Sequence, residues 1–239
     1  MIAPLVKHTN FQPGARNSYD ETMRRALTGL RWCWLLLFAC VALWGQQYKA
    51  DSAGAPPPEL APGVVQALEK TGFKISSNGK PYCEIWLRNS LPPGARPGFS
   101  AQEPGVTLPN IPVGAFLGVI RFDGIGSDRR GQTIQAGVYT LRYGIMPMND
   151  AHQGVAPQRD FLLLTPAAGD RNVDATPKFD ELVAMSRTAS RTAHPAVLSF
   201  WKADTDSPGF SQQGDTDWVL QSEIGDVPVA MIVVGTASR

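Results

Sequence analysis

The residues best equipped for chemistry lie in one connection, M-P-M-N-D-A-H-Q-G-V-A-P-Q-R-D, between Ile145 and Phe161. It gathers Asn149, Asp150, His152, Arg159 and Asp160, a mixture able to bind a cation, hold a carboxylate or move protons near neutral pH. The stretch is about 15 residues, longer than an ordinary hairpin loop, and long connections often carry binding groups. The alternative is a solvated loop whose ends are fixed by Arg159 and Asp160 pairing with neighbours.

His194, in T-A-H-P-A-V, supplies the second imidazole that a metal site would need, since the remaining histidine, His8, falls in the N-terminal region. Zinc would further require a carboxylate such as Asp160 or Glu181 to converge with His152 and His194. No H-E-x-x-H or C-x-x-C spacing supports this, and a structural His194 beside Pro195 is the simpler reading. Asp204, Asp206, Asp215 and Asp217 form two D-T-D triplets around S-P-G-F-S-Q-Q-G, and alternating carboxylates suit a hard cation such as calcium. The full spacing of a calcium hand is absent, so the competing reading is a solvated turn.

G-x-S-x-G does not occur. G-I-G-S-D-R-R-G at Gly124 to Gly131 lacks the lysine of a phosphate loop and reads as a hairpin loop. Trp86, Trp201 and Trp218 would stack on a sugar only if exposed; Trp86 shares a strand face with Glu84 and Arg88, although a core position suits it better. Cys83 alternates with Ile85 and Leu87, as a small buried residue does.

These groups must be positioned by strands. F-K-I-S, Asn78-Gly79 and P-Y-C-E-I-W-L (Pro81 to Leu87) read as a hairpin, the Asn-Gly pair supplying positive φ angles. F-L-G-V-I-R-F at Phe116 to Phe122 places Phe116, Ile120 and Phe122 on one face and Leu117, Val119 and Arg121 on the other. G-V-Y-T-L-R-Y-G-I at Gly137 to Ile145 is the clearest strand, with Tyr139, Leu141, Tyr143 and Ile145 opposite Val138, Thr140 and Arg142. D-F-L-L-L-T at Asp160 to Thr165 is apolar enough to be buried on both faces. Further strands are expected at Ala196 to Trp201, Asp217 to Ile224 and Val227 to Gly235. Helices are expected after Gly63, ended by a left-handed Gly72, and from Phe179 to Ser190. The sum is a mainly β chain, a single β-sandwich of immunoglobulin-like or jelly-roll type with one or two short helices.

The N-terminal region carries an address. Trp32 to Trp44, W-C-W-L-L-L-F-A-C-V-A-L-W, is uncharged and follows Arg24, Arg25 and Arg31. A basic flank before an apolar core of about 7–15 residues is an export signal, too short for an ordinary spanning helix. Residues 23–45 form this signal peptide or signal anchor, with Met23 suited as a start and Gly45 before Gln46 as the cleavage point. Residues 1–22 then form a disordered extension, or one that is not translated. Residues 46–63, rich in Pro and Ala, read as a linker, and 64–239 as the sandwich domain.

Composition narrows the function further. Lys and Arg total 22 against 21 for Asp and Glu, which gives no electrostatic reason to expect nucleic acid or an anionic membrane surface. Cys83 alone lies beyond the signal, so the exported part can form no internal disulfide.

The run R-G-Q-T-I-Q-A-G-V-Y-T-L-R-Y-G, Arg130 to Gly144, resembles the A-G-x-Y-x-L strand of uncharacterised secreted bacterial β-sandwich proteins, a likeness extending from Leu117 to Pro166. The resemblance implies a fold and a location, and carries no catalytic residue across. The expectation is therefore a periplasmic or extracellular protein, or one anchored in the membrane by an uncleaved N-terminal segment and facing outward. Its role is that of a non-catalytic binding module in the cell envelope, taking a small molecule, a glycan or an envelope protein and needing no cofactor. The alternative is a metal-assisted or acid-base hydrolase using His152, Asp160 and His194 with a divalent metal.

Overall fold

Alternation of apolar and polar residues sets many of the strands, and the computed structural model, which describes residues 48–95, 103–148, 158–204 and 208–237, is mainly β. The elements run β1 (Tyr48–Ala53), α1 (Pro62–Ala67), β2 (Gly72–Ser77), β3 (Lys80–Leu87), β4 (Phe116–Phe122), β5 (Gly126–Ser127), β6 (Thr133–Ile134) and β7 (Gly137–Ile145). They continue β8 (Asp160–Pro166), α2 (Phe179–Ser190), β9 (Val197–Lys202), β10 (Gly209–Gln213), β11 (Asp217–Ile224) and β12 (Val227–Val234). Ten strands form one antiparallel sheet in the order β1-β2-β3-β4-β7-β8-β9-β12-β11-β10, curled nearly closed like a barrel. The short β5 and β6 pair separately.

The expected class is thus observed, but the strands join in one sheet where two stacked sheets were expected. The reason lies in β9. Its first residues, Val197 to Ser199, pair with β8, and its last, Phe200 to Lys202, pair with β12. One strand therefore serves as the corner between a broad section and a smaller one. Period-two patterning shows which face of a strand is buried but not whether its neighbours continue or turn.

Inside the curl, Ile75, Cys83, Ile85, Ile120, Leu141, Tyr143, Leu162, Leu198, Phe200, Leu220 and Met231 form the main core. Two outer patches are also covered. Val64, Leu60 and Leu68 around α1 pack on Trp86, Phe116 and Val119. Leu182 of α2 packs on Phe161 and Leu163. This is why β8 reads as a continuous apolar run: its even positions face the core and its odd positions face α2. Among the described residues, no helix is long and apolar enough to cross a membrane.

The β2–β3 hairpin turns at Asn78 and Gly79, with φ of 49° and 77°, the pair of left-handed angles that the Asn-Gly dipeptide favours. Three expectations need correction. A register shift between Phe116 and Gly118 puts Leu117 into the main core and Phe116 into the outer patch with Val119, reversing the faces read from simple alternation. Gly72 begins β2 rather than capping α1, whose last residue is Ala67 and whose C-cap is Leu68; a Cβ at Gly72 would stand 2.4 Å from the Ile85 carbonyl and 2.7 Å from the Trp86 ring. The stretch read as a linker over 46–63 supplies β1, paired along its whole length with β2, and the buried Ala53 and Leu60. Its small and polar residues hide the strand because an edge needs little apolar surface.

Candidate binding site

Asp160 opens β8 from the core-facing side and is fully buried. Its Oδ1 accepts from the Tyr143 hydroxyl at 2.6 Å and the Leu108 amide at 3.0 Å, and its Oδ2 from the Thr107 amide at 2.7 Å and the Thr107 hydroxyl at 3.0 Å. Thr107 in turn accepts the Lys202 amide at 2.8 Å, so the carboxylate ties the 103–115 loop to β7, β8 and β9. Burial first, and then the adjacent Asp160 charge and hydrogen bond, push the Tyr143 hydroxyl far above its ordinary value, which keeps it a donor. Arg159 fixes the mouth of the same connection: its Nε donates to the Met146 carbonyl at 2.8 Å and its Nη1 to Glu103 and the Pro104 carbonyl, both at 3.1 Å. Asn149, Asp150 and His152 lie outside the described residues.

His194 sits exposed in the turn between α2 and β9. Its carbonyl accepts the Ser190 hydroxyl at 2.6 Å, and its amide donates to the Thr192 hydroxyl at 3.0 Å. Of the D-T-D residues, Asp204 and Asp215 are exposed and Asp206 lies outside the described residues. Asp217 is engaged by Arg129, whose Nε lies 3.1 Å from both carboxylate oxygens. Among the described residues, no three His, Cys, Asp or Glu side chains converge as metal ligands. Trp86 is 1 % exposed and its Nε1 donates to the Gly54 carbonyl at 2.9 Å, leaving no face for a sugar.

The outer face of β7 carries a second buried polar centre that mid-strand Arg142 alone could have signalled. Arg142 Nε and Nη2 reach Asp170 Oδ2 and Oδ1 at 2.7 and 2.6 Å. Its other donors meet the Gly114, Ala175 and Asn172 carbonyls at 3.0, 2.7 and 2.7 Å. All five guanidinium N–H groups are used, so this centre clamps the 166–178 loop to the sheet and has no donor left for a ligand.

A concave opening exists where the sheet fails to close. β1 and β10, its two ends, flank a cleft of about 540 Å³ lined by Tyr48, Lys49, Ala50, Asp51, Ser52, Thr71, Gly72, Phe73, Pro208, Gly209, Phe210 and Leu220. That volume falls in the range of about 300–1,000 Å³ usual for small-molecule sites. Tyr48, Ala50, Phe73, Phe210 and Leu220 belong to or pack on the main core, so the cleft opens onto apolar interior. Lys49 and Asp51 alternate with them on β1 and pair at 2.6 Å. At one end the seam is bridged by rings: Trp218 lies 5.5 Å from Tyr48 and, stacked, 5.5 Å from Phe210.

Of these residues only Trp218, a candidate sugar platform, carried a chemical expectation from the sequence, and it bridges the seam without lining the cleft. The signal was present as alternation in Y-K-A-D-S-A, too weak in apolar content to register as a strand. No protein-family model, no curated protein and no solved structure matches this chain.

Proposed function

We propose that the chain is exported and serves outside the cytoplasm, in the periplasm or beyond it, as a non-catalytic binding module of the cell envelope, with the seam between β1 and β10 as its ligand site. The observation that carries the reading is the cleft itself, an opening with aromatic walls and a polar rim in an otherwise hydrogen-bonded sheet. The full engagement of Asp160 and Arg142 by internal partners supports binding over acid-base chemistry, because neither centre has a free group aimed at solvent. Export rests on the basic flank and apolar core up to Trp44, and the resemblance of Arg130 to Gly144 to secreted β-sandwich proteins agrees with it.

The test is titration of the purified chain with Nile red, a neutral apolar dye. Saturable binding is expected, weakened at least tenfold by Ser52→Trp and by Gly209→Trp with the thermal midpoint retained. A Cβ at Gly209 meets nothing within 4 Å, so that side chain enters open space. Undiminished binding in both variants contradicts the seam as the site. N-terminal sequencing of the exported chain checks the address: a start at Gln46 marks cleavage, and an intact chain free in the cytosol contradicts export.

A further inference from the structure

Resting on the seam as the ligand site, we infer that its occupant is a neutral amphiphile, an unbranched apolar chain bearing an uncharged, hydroxyl-rich head. The apolar half follows from the walls. Tyr48, Phe73, Phe210 and Leu220 offer ring and methyl surface, and Gly209 and Ala50 leave the space between them. A slender chain entering there removes its surface from water against side chains already apolar.

The uncharged head follows from the rim. Its charged groups are one ammonium, Lys49, and one carboxylate, Asp51, already paired with each other, and its other polar side chains are the hydroxyls of Ser52 and Thr71. The rim therefore sums to zero charge. A carboxylate or ammonium head would lose part of its hydration and meet one attractive and one repulsive charge side by side on the rim, with no net field to replace what it loses. A hydroxylated head exchanges water hydrogen bonds for those of Ser52, Thr71 and the paired charges, with no unbalanced ion left over.

An added peptide strand fits the same opening less well. Successive neighbours in the ten-strand order are antiparallel, so β1 and β10 run in opposite directions, and one inserted strand would be antiparallel to one edge and parallel to the other. Pro208 withholds a donor where β10 begins, and the charges of Lys49 and Asp51 lie along β1 as they do on edges protected from pairing.

Three probes built on the same straight twelve-carbon chain separate the possibilities: glycerol monolaurate, laurate and dodecyltrimethylammonium, each displacing Nile red from the full chain below its micelle concentration. Glycerol monolaurate is expected to displace at a concentration at least tenfold lower than either ion, and to lose that advantage in Gly209→Trp and Ser52→Trp. Asp51→Asn should improve laurate at least threefold, and Lys49→Gln should do the same for the ammonium. Equal or better displacement by an ion overturns the neutral head while leaving the seam site intact. No displacement by any of the three, with Nile red still bound and still sensitive to Gly209→Trp, overturns the amphiphile alone. Nile red binding indifferent to both cleft variants overturns the seam reading itself. A concentration-dependent dimer that excludes Nile red and is lost in Gly209→Trp makes a second copy of the chain the occupant, and the inference fails.

Discussion

The ring of Tyr48, on the first strand of the sheet, lies 5.5 Å from that of Trp218 on β11 at an interplanar angle of 58°, and Trp218 stacks on Phe210 of the last strand, so that rings join the two ends of the sheet where no strand pairing does. The contact extends a chain of rings. Tyr82 lies 5.9 Å from Tyr48 and 5.7 Å from Phe122, which lies 6.5 Å from Tyr139. A register shift in the β2–β3 pairing, at Ile75 and Ser76, lets Tyr82 join this core side although Cys83 beside it also faces inward. Tyr48→Ala should therefore cost about 2–3 kcal/mol, from lost edge-to-face contacts and apolar burial. Tyr48→Phe should cost less than about 1 kcal/mol. Urea unfolding followed by tryptophan fluorescence measures both.

Asp170 sets a dependence on acid. Burial alone would raise its carboxyl, but the hydrogen bonds from Arg142 and Thr140 outweigh burial and hold it below the usual carboxylate range. A folded value below the unfolded one gives stability that is present at neutral pH and is lost as pH falls from the ordinary aspartate value through the folded one. Asp170→Ala should cost about 3–5 kcal/mol at pH 7, because Arg142 is left buried without its counter-ion. The difference from the native chain should narrow in acid melts. A cost that stays constant with pH would contradict the ionic role.

Asp160 is a pure anchor in this account. Asp160→Ala leaves the Thr107 and Leu108 amides without their acceptor, at a cost of about 1–3 kcal/mol for each group that stays buried and unpaired, while the Tyr143 hydroxyl keeps the Leu108 carbonyl at 3.1 Å. Thermal unfolding should show the loss, and hydrogen exchange should show the 103–115 segment opening first. Nile red affinity should stay within about twofold in the folded fraction, since Asp160 does not line the seam.

Cys83 should be inert. Burial chiefly, and then the nearby Glu84 and Asp123 charges, push its thiol well above the ordinary range, so little thiolate forms at neutral pH. Peptide mapping after iodoacetamide should find Cys83 modified at least tenfold more slowly in the native chain than in urea.

Much of the strand pattern was readable because it rests on strong local signals. Asn78-Gly79 demands its turn, Tyr139, Leu141 and Tyr143 alternate cleanly toward the core, and Phe179, Leu182 and Val183 recur at helical spacing. The features that escaped depend on tertiary partners. Phe116 and Leu117 exchange faces at an irregularity that alternation cannot register. Gly72 is required by the Ile85 carbonyl pressed against it, which is a contact between strands rather than a cap. The Pro208–Gly209–Phe210 wall of the cleft, like β1, is short and poor in apolar residues, and only the order of strands makes these two segments face each other. Asp160 and Arg159 were visible as residues that could anchor a loop, but their partners at Thr107, Leu108 and Glu103 lie more than fifty positions away.

The most direct test of the seam as a binding site is hydrogen exchange, read by mass spectrometry, on the chain with and without saturating Nile red. Added protection concentrated in peptides covering Tyr48–Ala53 and Gly209–Gln213 is the predicted result. Protection confined to other strands, or none at these two edges when the dye is bound, would contradict it.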